Sequence, residues 1–396
     1  MARAAFVMDR FMQAIGLPGK SFVPLIVGFG CNVPAIMATR TLETRRDRIM
    51  TAMMSPFISC GARLAIFAVF STAFFTQGGA LVVFALYLLG IIVAIGTGLL
   101  LKKSILRGDA TPFIMELPAY HAPHMKSIFM LTWNRLKGFV IRAGKIIVPV
   151  CILIGSLNSI NLNGTIDPNG SRNSILSEAG KVITPVFQPM GIEQENWPAT
   201  VGLITGTLAK EVVVGTLNTL YSQQTPAPAD QNFSFWGGIK GAFTDTFDGF
   251  ASMNAGTFIN PFEAAKADGD MDSSAMGQMV HFFGSPIAAF AYLVFALLYI
   301  PCIATIGALS REIGRGWAYL STYWGASTAY SLAVITYQAG TFSAHPNSST
   351  AWIIGFILFQ ALSIFGLLQW SKRSSVDLTQ PALAKSCSAD KSNCCG

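Results

Sequence analysis

Long apolar runs separated by short polar or basic connections dominate the pattern of this 396-residue chain. Runs fit to cross a bilayer, at about 20 apolar residues and 1.5 Å of rise each, fall at 22–38, 49–75, 79–101, 138–160, 197–221, 286–309, 317–338 and 351–370. The pattern predicts an all-α polytopic membrane protein with about eight hydrophobic segments. The first run is short and holds Pro24, Gly28, Gly30 and Pro34, which predicts a broken helix. Unwound backbone at membrane depth is tolerated only where protein buries it or where it lines a cavity.

Orientation follows from Lys and Arg. The connection with Arg40, Arg45, Arg46 and Arg48 is basic, 76–78 is neutral and 102–137 is basic again. The first and third connections are therefore expected in the cytoplasm. Crossing at every later run would put Arg311, Arg315 and the Lys372-Arg373 tail outside, so one segment must be re-entrant or one crossing hidden. The expected re-entrant segment is 197–221, whose centre holds Lys210 and Glu211, a charged pair poorly suited to a lipid-facing helix. The weaker alternative is an extra crossing within 222–285, otherwise a polar, partly disordered loop. The expected organisation is a first gate-like transmembrane region over 1–221, the loop over 222–285, a second gate-like region over 286–371 and a cytoplasmic Cys-rich tail over 372–396.

Composition agrees with a membrane class: 52% of residues are hydrophobic and 12% charged, where a soluble chain carries about 25%. The net charge of +7 lies in connections between apolar runs and forms no basic patch interleaved with aromatics, so a nucleic-acid partner is not expected. Seven cysteines, an odd number, do not read as an extracellular disulfide framework. The segment 1–20 reads as an amphipathic helix without a cleavage site.

Chemistry enters with the thiols. Cys31, three residues before Pro34, and Cys302, directly after Pro301, lie in apolar runs and are each followed nine positions later by arginine, Arg40 and Arg311. Cys60 follows Pro56 in the run between them. Counted at helical rise from the basic boundaries, Cys31 and Cys302 lie about 13 Å deep and Cys60 about 18 Å, all near the midplane of a core about 30 Å thick. Thiols favour soft or borderline metal ions over magnesium or calcium. A buried cysteine is also often a small hydrophobe, so the argument rests on three thiols sharing a depth.

Other features carry less. Residues Leu17-Pro18-Gly19-Lys20-Ser21 imitate the end of a phosphate-binding loop, but Ala14 stands where glycine is needed and no strand precedes. No nucleotide site, and hence no enzymatic energy coupling, is expected in this chain. Glu211 reads as a structural ion-pair member or as a carboxylate on a cation pathway, while Arg63 reads as a structural residue that snorkels or bonds carbonyls freed by Pro56. His121 and His124, with Glu116, could bind metal weakly but read rather as an interfacial elbow, and Met53 and Met54 could add thioether ligands near Cys60 but read rather as lipid-facing or packing residues. The tail thiols Cys387, Cys394 and Cys395 match no structural zinc spacing and could receive or sense metal.

The stretches Gly28-Phe29-Gly30-Cys31-Asn32-Val33-Pro34-Ala35, Arg40-Thr41-Leu42-Glu43, Pro56-Phe57-Ile58-Ser59-Cys60-Gly61-Ala62-Arg63-Leu64, Ala209-Lys210-Glu211-Val212-Val213-Val214-Gly215-Thr216-Leu217 and Pro301-Cys302 resemble the bacterial ferrous iron transport protein B family. The resemblance covers nearly the whole chain outside 222–285. It implies a ferrous iron permease of the bacterial inner membrane with its C-terminal tail in the cytoplasm. Cys31, Cys60, Cys302, Asn32 and Ser59 would then line the Fe²⁺ path, with Glu211 as an electrostatic attractor. Family members carry a GTP-binding domain, a helical regulatory domain and a further span before the point matching Met1. GTP would therefore act through a domain or separate GTPase subunit outside this chain, and the expected partners include small cytoplasmic accessory proteins and further copies of the chain. The alternatives are a nucleoside or organic-anion carrier, or a metal- or redox-sensing scaffold that passes nothing.

Overall fold

The structure is a computed structural model that describes residues 2–75, 78–106, 124–160, 174–222, 244 and 273–373. The tail thiols, Glu116, His121 and most of 222–285 lie outside the described residues. Among those described, every regular element is helical and no β-strand occurs. Helices satisfy their own backbone hydrogen bonds, which is what an apolar solvent demands.

The N-terminal half begins with α1 (Ala2–Ile15), α2 (Phe22–Gly30) and α3 (Asn32–Ala38). Helix α1 is amphipathic, with Met12 and Ile15 buried and Phe6, Val7 and Phe11 exposed. It ends at Gly16, whose φ of 94° lets the amides of Gly16 and Leu17 turn back onto the carbonyls of Gln13 and Met12. The chain then bends by 98° into the segment Gly19–Gly30. Next come α4 (Arg45–Met54), a 3₁₀ turn over Ser55–Phe57, α5 (Gly61–Phe74) and α6 (Gly79–Lys103). Thr44 caps α4 by accepting from the Asp47 amide. The buried Arg46 side chain pairs with Asp47 at 2.9 Å and donates to the carbonyls of Leu106 and Gly16, tying α4 to the ends of α6 and α1.

The chain continues through α7 (Met125–Ser159), α8 (Ile175–Ile183), α9 (Trp197–Leu208) and α10 (Val213–Ser222). The last third holds α11 (Ser273–Phe283), α12 (Pro286–Leu298), α13 (Ile303–Glu312), α14 (Arg315–Gly340) and α15 (Pro346–Arg373). Helix α12 is buried along nearly its whole length and packs on α14 and α5. Around it sits an aromatic core: Tyr292 stacks on Phe70 with ring centres 5.0 Å apart, and Phe283 from α11 meets both edge-on. The end of the stretch read as a polar loop therefore supplies core residues Ala275, Met279 and Phe283.

The outside is as apolar as the inside. Leu81, Phe84 and Ile92 on α6, and Ile354, Leu358 and Leu362 on α15, are all more than half exposed. Contiguous apolar surface on this scale needs an apolar solvent, and the chain is a multi-pass membrane protein. Four stretches are long and apolar enough to cross a bilayer: Arg45–Phe74, Gly79–Lys103, Pro286–Glu312 and Pro346–Gln369. The bent pair Phe6–Ile15 with Gly19–Gly30 makes a fifth if it acts as one span. The eight apolar runs thus reduce to four or five candidate spans among the described residues. Breaks explain part of the difference, since the run at 22–38 becomes helices of nine and seven residues and that at 197–221 helices of twelve and ten. The runs at 138–160 and 317–338 are helical within α7 and α14 but do not join that set.

Candidate functional site

Four interruptions of helix meet in one region, and three carry a cysteine. Cys31 separates α2 from α3 as a single extended residue with φ −154° and ψ 132°. Cys60 precedes α5 with φ −89° and ψ 166°, and Cys302 precedes α13 with φ −58° and ψ 154°. Each thiol thus occupies the capping position before a helix, where the first amides point toward it. Proline accounts for much of this. Pro34 has no N–H to return to the Gly30 carbonyl, Pro56 sits in the 3₁₀ turn before Cys60, and Pro301 disfavours helix at Ile300. The fourth interruption, at Ala209 with φ −145° and ψ 112°, opens a 3₁₀ turn over Lys210–Val212.

Close backbone approach joins the first two breaks. A β-carbon added to Gly61 would lie 3.7 Å from the Gly30 carbonyl oxygen, so the chain beside Cys60 abuts the chain beside Cys31. Asn32 is buried, with its amide nitrogen toward the carbonyls of Ser55 (3.1 Å) and Gly28 (3.3 Å). Arg63 is fully buried and donates through Nη1 to the carbonyls of Pro56 (3.0 Å) and Ile58 (3.3 Å). That is the carbonyl-bonding role its place after Pro56 suggested. Its Nε and Nη2 have no hydrogen-bond partner among the described residues.

Tyr299 joins the other two breaks. Its ring lies 4.7 Å from the Lys210 ammonium, a cation–π contact, and Arg63, Cys302 and Cys60 all lie within its electrostatic reach. Cys302 is 3.1 Å from the Thr305 hydroxyl. None of the three thiols is in a disulfide, and all are half-buried. They form a succession around the breaks rather than a cage: among the described residues no three His, Cys, Asp or Glu side chains could together hold a metal ion. Ser59 is buried, with its hydroxyl beside that of Tyr87. Glu211 lies in the Lys210–Val212 turn, which packs on α5, and its side chain lies outside the described set.

At the far ends of the Cys-to-Arg stretches, α3 packs on α13. Arg40 donates to Glu312 from Nε at 2.6 Å and from Nη2 at 2.5 Å, a two-pronged pair. Arg48 steadies the same corner by donating to the carbonyls of Arg40 and Leu42. Sequence reasoning named Arg40 and Arg311 but missed Glu312, and it missed Tyr299. The only available signals were a carboxylate beside Arg311 and an aromatic before the Pro301-Cys302 step. Met53 and Met54 are core residues, Met54 packing against Gly98, and His124 is exposed just before α7.

Two family models match the chain. One, a gate model described as nucleoside recognition, matches residues 1–74 and 140–316, and the other, the ferrous iron transport protein B C terminus, matches residues 83–135. The chain is 54% identical over 399 residues to a protein named Fe(2+) transporter FeoB from Escherichia coli strain K12, and 53% identical over 402 residues to one of the same name from Salmonella paratyphi A. Each alignment covers all of this chain but 51% and 52% of the respective relatives. The chain thus spans about half the length of the curated relatives it matches. No solved structure matches it.

Proposed function

Because the chain belongs to the gate family described as nucleoside recognition and to the ferrous iron transport protein B family, whose C-terminal half it spans, we propose that it is a ferrous iron permease of the bacterial inner membrane. The observation that supports the reading best is the convergence of three half-buried thiols at helix breaks inside an apolar fold. Fe²⁺ would shed part of its water and pass Cys31, Cys60 and Cys302 in succession. Ser59 and the Asn32 carbonyl would add oxygen ligands, and Glu211 would attract the ion toward the Lys210–Val212 turn. Conduction needs sites weak enough to release, so a succession of single thiols suits passage better than a closed cage.

In this reading the two gate-like regions are the α2–α3 and α12–α13 breaks, 197–221 is re-entrant, and the basic corner at Arg40 and the C-terminal tail face the cytoplasm. The tail thiols Cys387, Cys394 and Cys395 would meet iron on release. GTP would act through a GTPase domain or subunit outside these residues, with small accessory proteins and further copies of the chain as partners.

The test is ferrous uptake by the chain, expressed from its own gene in cells lacking other ferrous iron uptake, with Cys31, Cys60 and Cys302 replaced singly by serine. Each change should lower uptake at limiting Fe²⁺ by about tenfold, as expected when one interaction of about 1.4 kcal/mol is lost from the rate-limiting state. Unchanged uptake in all three would remove the thiol path, and unchanged uptake in Glu211→Gln would leave that carboxylate a structural role. The gate model's description favours a second reading, a nucleoside carrier. Competition of nucleosides with Fe²⁺ for uptake would support that reading over the first.

A further inference from the structure

A cation path that runs beside a buried arginine is an electrostatic contradiction unless the arginine does something for the path. Arg63 is fully buried, and its backbone amide donates to the Cys60 carbonyl at 3.0 Å. Only its Nη1 is bonded, to the two carbonyls of the break, leaving Nε and Nη2 without a partner among the described residues. Guanidinium stays protonated even when buried, so this charge is permanent. The Lys210 ammonium lies on the other side of the same region, over the Tyr299 ring. The amino end of the 14-residue α5 adds a partial positive charge next to Cys60.

We propose that Arg63 sets the cation selectivity of the path, repelling every dication that reaches Cys60 so that only ions gaining a strong bond to sulfur pass. This inference rests on the ferrous permease reading above. Repulsion between fixed and mobile charge depends on charge and distance, and so falls equally on Fe²⁺, Mg²⁺ and Ca²⁺. Compensation does not. Mg²⁺ and Ca²⁺ are hard ions that take oxygen ligands and gain little from a thiol, whereas Fe²⁺ is softer and gains from it. The bond to sulfur keeps the Cys60 step from limiting Fe²⁺ passage, whereas for the hard ions that step is the limiting one, so the shared repulsion slows only their net flux and a preference for sulfur becomes exclusion. Its bonds to Pro56 and Ile58 fix the charge at the break.

The experiment measures Fe²⁺, Mg²⁺ and Ca²⁺ uptake by the chain expressed from its own gene, comparing wild type, Arg63→Gln, Arg63→Met and Arg63→Lys at equal membrane abundance. Both neutral variants should raise the ratio of Mg²⁺ or Ca²⁺ uptake to Fe²⁺ uptake by about tenfold or more, and Arg63→Lys should keep the wild-type ratio because it keeps the charge. A wild-type ratio in a neutral variant that still takes up Fe²⁺ overturns the inference and leaves Arg63 only its carbonyl bonds. If neither neutral variant reaches the membrane, Arg63→Lys decides: a relaxed ratio despite the retained charge overturns the proposal, and a wild-type ratio supports it. Absence of Fe²⁺ uptake by the wild type strikes the permease reading itself, an outcome separate from an unaltered ratio.

Discussion

The two Cys-to-Arg stretches share a spacing but are held in place differently. The helix that leads into the second, α12, is embedded: it is buried from Ala288 to Leu298 with few exceptions, and Ser285 caps it by accepting from the Ala288 amide. The helix that leads into the first, α2, is peripheral: only Pro24 and Gly28 are buried, while Ile26 and Phe29 are exposed. Polar bonds hold it instead, through Asn32 to Gly28 and Ser55, Arg48 to Arg40 and Leu42, and Arg40 to Glu312. Apolar packing fails all at once, whereas a few hydrogen bonds can be exchanged singly. The difference predicts that the α12–α13 break acts as a fixed wall and the α2–α3 break as the element able to shift.

The largest effect expected from this contrast is at Tyr292, which fills the aromatic core behind the second break. Tyr292→Ala should cost about 3–5 kcal/mol, the usual penalty for emptying a large aromatic site. Phe29→Ala, which removes only the stacking on Tyr87 at 6.2 Å, should cost no more than about 1.5 kcal/mol. Thermal unfolding in detergent measures both. Equal losses would erase the distinction between wall and moving element.

A smaller and more local effect is expected at Asn32. Asn32→Ala removes the side-chain donor shared by the carbonyls of Gly28 and Ser55, the latter keeping its bond from the Ile58 amide, a loss of about 0.5–1.5 kcal/mol. Its distinctive consequence is positional. Cys31 should react faster with a membrane-permeant maleimide while Cys302 keeps its wild-type rate. Parallel acceleration at both thiols would mean the two breaks move as one body.

Much of the chemistry was legible in the sequence because it depends on residue types that break helices. Pro34, Pro56 and Pro301 announced where helix would stop, and the thiols beside them fell at the breaks. The bond from Arg63 to the Pro56 carbonyl follows from the same logic. Tertiary partners were not legible. Nothing local to Glu312 says that it meets Arg40, 272 residues away in the chain, and nothing local to Tyr299 says that Lys210 covers its ring. Among the described residues four or five candidate spans answer to the eight runs, because apolar composition measures how long a run is, not whether one helix runs through it. At 22–38 and 197–221 the residues that signal a break, Gly30 with Pro34 and the Lys210-Glu211 pair, were visible, yet each run still entered the count of eight.

The smallest effect concerns the pair that joins the moving element to the wall. Arg40 is largely exposed, with 61% of its side-chain surface open, whereas Glu312 retains only 8%. The energetics of the pair are therefore asymmetric. Glu312→Gln leaves an arginine that water can solvate, while Arg40→Gln leaves a carboxylate with little water and no opposite charge from Arg40. Arg40→Gln should be the more destabilising of the two, and the coupling between them in a double-mutant cycle should fall at about 0.2–1 kcal/mol. At about 1 M salt, where charges are screened within about 3 Å, the exposed side of the pair should lose most of its contribution. The reversed pair, Arg40→Glu with Glu312→Arg, should recover part of the coupling, because the two ends remain opposed. A cycle that shows no coupling would leave the first break held by Asn32, Arg48 and the packing of α3 on α13.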